Sequence, residues 1–119
     1  MQSLVNSQIK YQTFRELADR YGLDREAIRN ILDISESTQF RYEKNNPVLK
    51  TIHCDRAGRF SRIAKLASSL FEDETETKRW LSTPKQDLEG LTPIEALTTD
   101  AGSHSVEQML YRAAYGIFA

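Results

Sequence analysis

Residues 14–45 read FRELADRYGLDREAIRNILDISESTQFRYEKN, and the spacing of apolar residues along them decides the fold. Phe14, Leu17, Ala18 and Tyr21 recur at i, i+3, i+4 and i+7, which is one face of an amphipathic helix, and Gly22 follows as a C-terminal stop. Asp24 is placed to cap a second helix whose inner face carries Ala27, Ile28, Ile31 and Leu32. After the connection Asp33-Ile34-Ser35, Ser35 is placed to cap a third helix running through Glu43. Short helices joined by a tight turn have the shape of a helix-turn-helix.

Working outward, helical periods bounded by caps continue along the chain, and Val, Ile and Thr nowhere cluster in alternating runs, so the fold class is all-α. In DRAGRFSRIAKLASSLF, residues 55–71, an apolar stripe of Phe60, Ile63, Ala64, Ala67, Leu70 and Phe71 marks a core helix. Asp73 with Glu76 three residues on opens a helix that reaches Trp80 and Leu81, and Ser82-Thr83-Pro84 ends it. Trp80 is expected to anchor the core. Gly90 builds a turn between Leu88 and Leu91, and Thr92-Pro93-Ile94-Glu95 is a capping box with Pro at the first helical position. That short helix is expected to stop at Gly102, with Ser105 and Gln108 opening the last one. The plausible linker is KNNPVLKTIHCD, residues 44–55, where paired Asn and a Pro interrupt helix, so two domains are expected, 1–50 and 51–119.

Composition excludes several classes. Residues 1–60 hold ten Lys/Arg against eight Asp/Glu, and residues 61–119 hold six against nine, a mild asymmetry that permits a nucleic-acid contact in the first half. Cys54 is the lone cysteine, which rules out an intramolecular disulfide and points to a reducing compartment. No signal-peptide pattern opens the chain and no run approaches the ~18 apolar residues of a membrane span, so a cytoplasmic location is expected. His53, Cys54 and Asp55 are sequence neighbours that cannot converge on one reacting atom unaided, and His104 is the other histidine. With no Gly-rich phosphate loop either, the reading is a non-enzyme with no catalytic residues, no metal site and no cofactor.

Two segments are left as candidate interaction surfaces. In a helix-turn-helix the second helix enters the major groove, and here Ser37, Gln39 and Arg41 are the candidates for DNA contact, Gln suiting adenine and Arg guanine. Against the usual pattern, Arg29 stands where a small residue packs and Asp33 where a Gly opens the turn. On the last helix, at about 100° per residue, Val106, Met109, Leu110, Ala113, Ala114 and Ile117 share one arc. Tyr111, Tyr115 and Phe118 form a second stripe next to Arg112 and the terminal Ala119: either the flank of a wide core or a face for a partner.

The run from Arg79 to Ala119 resembles the toxin-binding domain of the Xre/MbcA/ParS-like antitoxins, matching that pattern at Trp80, Leu81, Pro84, Leu88, Gly90, Thr92, Pro93, Gly102, Val106, Leu110 and Gly116. It departs at Glu89, where the family often has Gly. The first half is similar to the family's Xre-like helix-turn-helix at Ile34-Ser35, Thr38 and Arg41. There Gln39 and Phe40 stand in swapped order, implying either a slightly rotated helix or an unusual DNA-reading face. The resemblance implies a type II antitoxin that covers the NAD-pocket entrance of a RES-domain toxin, an enzyme consuming NAD or transferring ADP-ribose from it. It further implies a homodimer that binds its own operator. On that reading Tyr111, Arg112, Tyr115, Phe118 and Ala119 contact the toxin, while Trp80, Thr92, Pro93 and Gly102 hold the platform. The rival reading is a stand-alone transcriptional regulator with a C-terminal dimerisation helix.

Overall fold

The computed structural model describes residues 8–116. The fold is all-α: α1 (Tyr11–Arg20), α2 (Arg25–Leu32), α3 (Glu36–Asn45), α4 (Thr51–Phe71), α5 (Glu74–Leu81), a 3-10 turn (Gln86–Leu88), α6 (Pro93–Ala96) and α7 (Asp100–Tyr111). A π-helical turn over Arg112–Gly116 continues α7. Among the described residues, extended pairing is confined to one antiparallel bridge between Lys10 and Val48.

The chain divides into two compact units, Met1–Phe60 and Ser61–Ala119. The division falls inside α4, ten residues beyond the boundary at residue 50 expected from the sequence. Asn45-Asn46-Pro47 does end α3, with Asn46 in the left-handed conformation at φ 47°, but the chain is helical again from Thr51. Residues 51–55 are therefore helix rather than linker, and Phe60 packs edge-to-face on Phe14 and Tyr21, with ring centroids 6.0 and 6.2 Å away.

In the first unit each helix start is a local event. The Asp24 side chain accepts from the Ala27 N–H, and the Ser35 side chain from the Thr38 N–H, satisfying donors that the first turns of α2 and α3 leave open. Asp33, at φ 60° and ψ 53°, takes up the left-handed turn that a Gly would adopt without strain. Ile28, Ile31 and Leu32 of α2 are buried with Tyr11, Phe14 and Ala18 of α1. The segment after α3 is stitched to the start of the unit: Tyr11 N–H donates to Pro47 O at 3.0 Å and Leu49 N–H to Ile9 O at 2.8 Å. Arg25 grips Glu43 with two hydrogen bonds of 2.8 and 3.0 Å, tying α2 to α3.

The second unit buries Ile63, Ala64 and Ala67 of α4 together with Leu81, Leu88, Leu97, Val106 and Leu110. Asp73 caps α5 by accepting from Thr75 and Glu76 N–H. The Lys85–Leu91 loop closes on itself, with Lys85 N–H donating to Leu91 O and Gly90 N–H to Lys85 O. The capping box at Thr92 is formed in both directions: Glu95 N–H to Thr92 Oγ1 at 3.0 Å, Thr92 N–H to Glu95 Oε1 at 2.9 Å.

Two expectations about this unit need correction. Gly102 does not stop a helix; it lies in the first turn of α7, whose cap is Thr99, the Thr99 hydroxyl accepting from Gly102 N–H at 2.9 Å. Ser105 sits within that helix. Gly102 is required for a different reason, since a Cβ there would run into the Ala96 carbonyl, and only Gly lets α7 start so close to α6. Trp80 is half-buried rather than enclosed; the fully buried neighbour is Leu81.

Candidate functional site

In the second unit the caps at Thr92 and Thr99 and the close approach at Gly102 fix where α7 begins, and burial of Val106 and Leu110 fixes its rotation. Tyr111 and Tyr115 are thereby left outside, 39% and 76% exposed, with their rings stacked at 6.2 Å and 20°. Tyr111 ends α7 and Tyr115 lies within the π-helical turn that follows it. Such wide turns are often found at functional sites, and this one ends the validity of a constant angular count, leaving Ala113 and Ala114 half-buried rather than enclosed.

Beside this aromatic shelf, Arg112 faces Asp87 of the 3-10 turn across 3.8 Å, the two side chains 60% and 69% exposed. An ion pair that open to water is worth at most about 1 kcal/mol, so both groups stay available to a partner. The pair stands between two hollows. One, of about 450 Å³, is lined mainly by Leu70, Phe71, Trp80, Met109, Leu110 and Ala113. The other, of about 500 Å³, is bounded by His104, Ser105, Gln108 and Met109. Trp80 forms the wall of the apolar hollow, tilted against Phe71 at 5.8 Å, while the Lys85 ammonium lies 4.8 Å from its ring centroid. Burial lowers the pKa of Lys85 below the ordinary lysine value. The surface thus offers stacked rings, a cation and an apolar recess within one unit, which suits protein recognition rather than bond-making chemistry.

Of the residues proposed for a toxin contact, Tyr111, Arg112 and Tyr115 come together on this surface; Phe118 and Ala119, like Ile117 of the inward arc, lie outside the described residues. The hollow and Asp87 were missed. Phe71 and Met109 carried a core signal alone, and nothing in a single sequence connects Asp87 to Arg112, 25 positions later.

The first unit changes the DNA candidates. Ser37 and Arg41 are exposed on α3, but Gln39 is fully buried. Its Oε1 accepts from Arg29 Nη1 at 2.9 Å, and its Nε2 donates to Arg25 O at 3.0 Å and to the Tyr11 hydroxyl at 3.4 Å. An amide held at both ends cannot also read adenine, so Gln39 is withdrawn from the base-contacting set. Phe40 instead stands in solvent, 57% exposed. His53 and Cys54 are taken up in packing: the His53 ring is 3.3 Å from the Tyr42 hydroxyl, and buried Cys54 donates to Leu49 O.

Residues 66–116, which contain the whole of this surface, match the family described as the antitoxin Xre/MbcA/ParS C-terminal toxin-binding domain. The chain is also 41% identical over 76 residues to the protein named Antitoxin Xre of Pseudomonas putida KT2440, a match that takes in 64% of this chain and 47% of that protein, so the chain spans about half the length of the curated relative it matches. The stacked tyrosines, the capping box and Gly102 all lie inside the matched segment, so this surface falls within the part of the chain that is similar to that toxin-binding domain.

Proposed function

We propose that the chain neutralises a RES-domain toxin, one that consumes NAD or transfers ADP-ribose, by covering the entrance to its active site. The observation that carries this reading is the exposed Tyr111–Tyr115 stack next to Arg112, inside the segment that matches a toxin-binding domain. Stacked tyrosines supply large contact area with little rotamer entropy to lose, and Arg112 can exchange its weak tie to Asp87 for a toxin carboxylate or a polar position that NAD would fill. Phe118 and Ala119 extend the contact, and Trp80, Thr92, Pro93 and Gly102 hold it in place. Residues 51–119 act as the toxin-binding part and 1–50 as the DNA-binding part. In the cytoplasm the chain works as a homodimer within a hetero-oligomeric complex, and it represses its own operon through Ser37 and Arg41 of α3, both of which are exposed.

The test is co-expression with the product of the neighbouring gene. Tyr115→Ala, Arg112→Ala and Phe118→Ala are expected to stay folded by circular dichroism, to fail to co-purify the toxin and to fail to rescue growth. Retention of full neutralisation by all three folded variants overturns the assignment. A neighbouring product that does not arrest growth overturns the antitoxin reading itself.

A further inference from the structure

The solvent face of α3 carries an aromatic residue that folding does not use. At about 100° per residue, Ser37, Phe40, Arg41 and Lys44 fall in one arc, opposite Gln39 and Tyr42, and all four are exposed while Gln39 and Tyr42 are buried. Within its arc on α3, Phe40 has no apolar neighbour. Its arc neighbours are a hydroxyl and two cations, and the Lys44 ammonium sits 5.7 Å from its ring centroid. On the helix flanks, Glu43 is neutralised by Arg25 and Glu36 stands in the first turn.

We propose that Phe40 is a specificity-determining residue that packs on the C5-methyl of an operator thymine in the major groove, with Arg41 and Lys44 on the flanking phosphates and Ser37 at the helix start. This rests on the operator-binding reading above and adds to it the residue that reads sequence in place of buried Gln39. Three observations favour duplex DNA over a second copy of the chain. The arc is cationic and complementary to phosphate. Apolar contact with a thymine methyl is a recognised mode of base readout from a major-groove helix. A copy–copy contact would bury a contiguous apolar surface, whereas Phe40 is bracketed by Ser37, Arg41 and Lys44.

The experiment is fluorescence anisotropy at physiological salt on the DNA upstream of the chain's own gene, with each thymine replaced in turn by deoxyuridine, which removes only the methyl. Wild-type chain is expected to lose about fourfold in affinity at one thymine per half-site, the worth of one buried methyl. Phe40→Ala is expected to lose roughly four- to tenfold on unmodified DNA and to become indifferent to that deoxyuridine. Arg41→Ala and Lys44→Ala are expected to reduce the salt slope by about one each, while Phe40→Ala leaves it unchanged. A flat deoxyuridine scan with Phe40→Ala binding as tightly as wild type overturns the role of Phe40 while operator binding stands. Absence of sequence-specific binding by both the wild-type chain and its toxin complex removes the operator-binding reading as well. Loss of dimer in sedimentation of Phe40→Ala, with no thymine-specific effect, assigns the residue to a copy–copy contact instead and overturns the proposal.

Discussion

Arg29 and Gln39 join α2 to α3 through one buried amide. Arg29 reaches from α2 to α3 and donates to the Gln39 amide, whose other end is held by Arg25 O and the Tyr11 hydroxyl. A buried amide with partners at both ends stabilises; with one removed it leaves polar groups without partners. Gln39→Ala is therefore expected to cost about 1–3 kcal/mol in urea unfolding, and Arg29→Ala less. Because the two residues share one interaction, the double variant should cost less than the sum of the singles. In operator binding, Gln39→Ala should weaken all sequences alike through stability, without changing base preference. Glu89 allows a second test. At φ 58° it occupies a left-handed position that costs an L residue about 1–2 kcal/mol, and the neighbouring Gly90 is at φ 90°. Glu89→Gly relieves that strain and pays part of it back in unfolded-chain entropy, so a net gain of about 0.5–1 kcal/mol is expected from the shift in denaturation midpoint.

At the scale of elements, helix starts were legible wherever the cap is a local pattern. Asp24, Ser35, Asp73 and Thr92 all accept the bonds that their spacing predicted. The last helix was misread because Thr99 has Gly102 rather than Glu or Gln three residues on, while Ser105 and Gln108 mimic a capping box inside the helix. Its two faces were legible from period alone as far as Tyr111; beyond that the π-turn breaks the count. Burial of Gln39, the hollow beside Trp80 and the Asp87–Arg112 pair depend on contacts between distant positions, which no local pattern encodes. The stack and the cap should separate cleanly by experiment. Tyr115→Ala, at 76% exposure, is expected to change the stability of the free chain by no more than about 0.5 kcal/mol while costing 2 kcal/mol or more in toxin binding. Thr92→Ala breaks the capping box and should cost about 1 kcal/mol of stability, with toxin affinity falling only as the folded fraction falls. Calorimetric titration of each variant against purified toxin, alongside thermal melts, distinguishes the two behaviours.

For the molecule as a whole, Glu43 and His53, which link stability to acid, both lie in the first unit. Hydrogen bonding to Arg25 lowers the pKa of Glu43, which has lost part of its hydration. His53 is lowered by burial, then by Lys50 and Arg56, with Asp33 opposing. Burial raises Tyr11, which its bond to Gln39 partly offsets. The signs follow from linkage. Glu43, depressed in the folded state, contributes stability that is present above its unfolded pKa and is lost as pH falls through the folded value. His53, also depressed, resists protonation when folded, so below its unfolded value of 6.5 the unfolded chain takes up the proton first and stability falls. Both act in the same direction on acidification, His53 at the higher pH. Tyr11 acts at the other extreme: its contribution is intact below its unfolded value of 10.0 and is lost as pH rises beyond it. Amide exchange measured from pH 7.5 down to 4 should therefore show protection falling in α1 to α3 before it falls in α6 and α7. In His53→Gln, which keeps a polar side chain beside Tyr42 but cannot titrate, the decline just below pH 6.5 should vanish while the later one, governed by Glu43, remains. A His53→Gln profile that superimposes on wild type between pH 7 and 5 would show that the ring carries no proton-linked stability, and equal loss of protection in both halves would show that acid acts on the chain as one cooperative body.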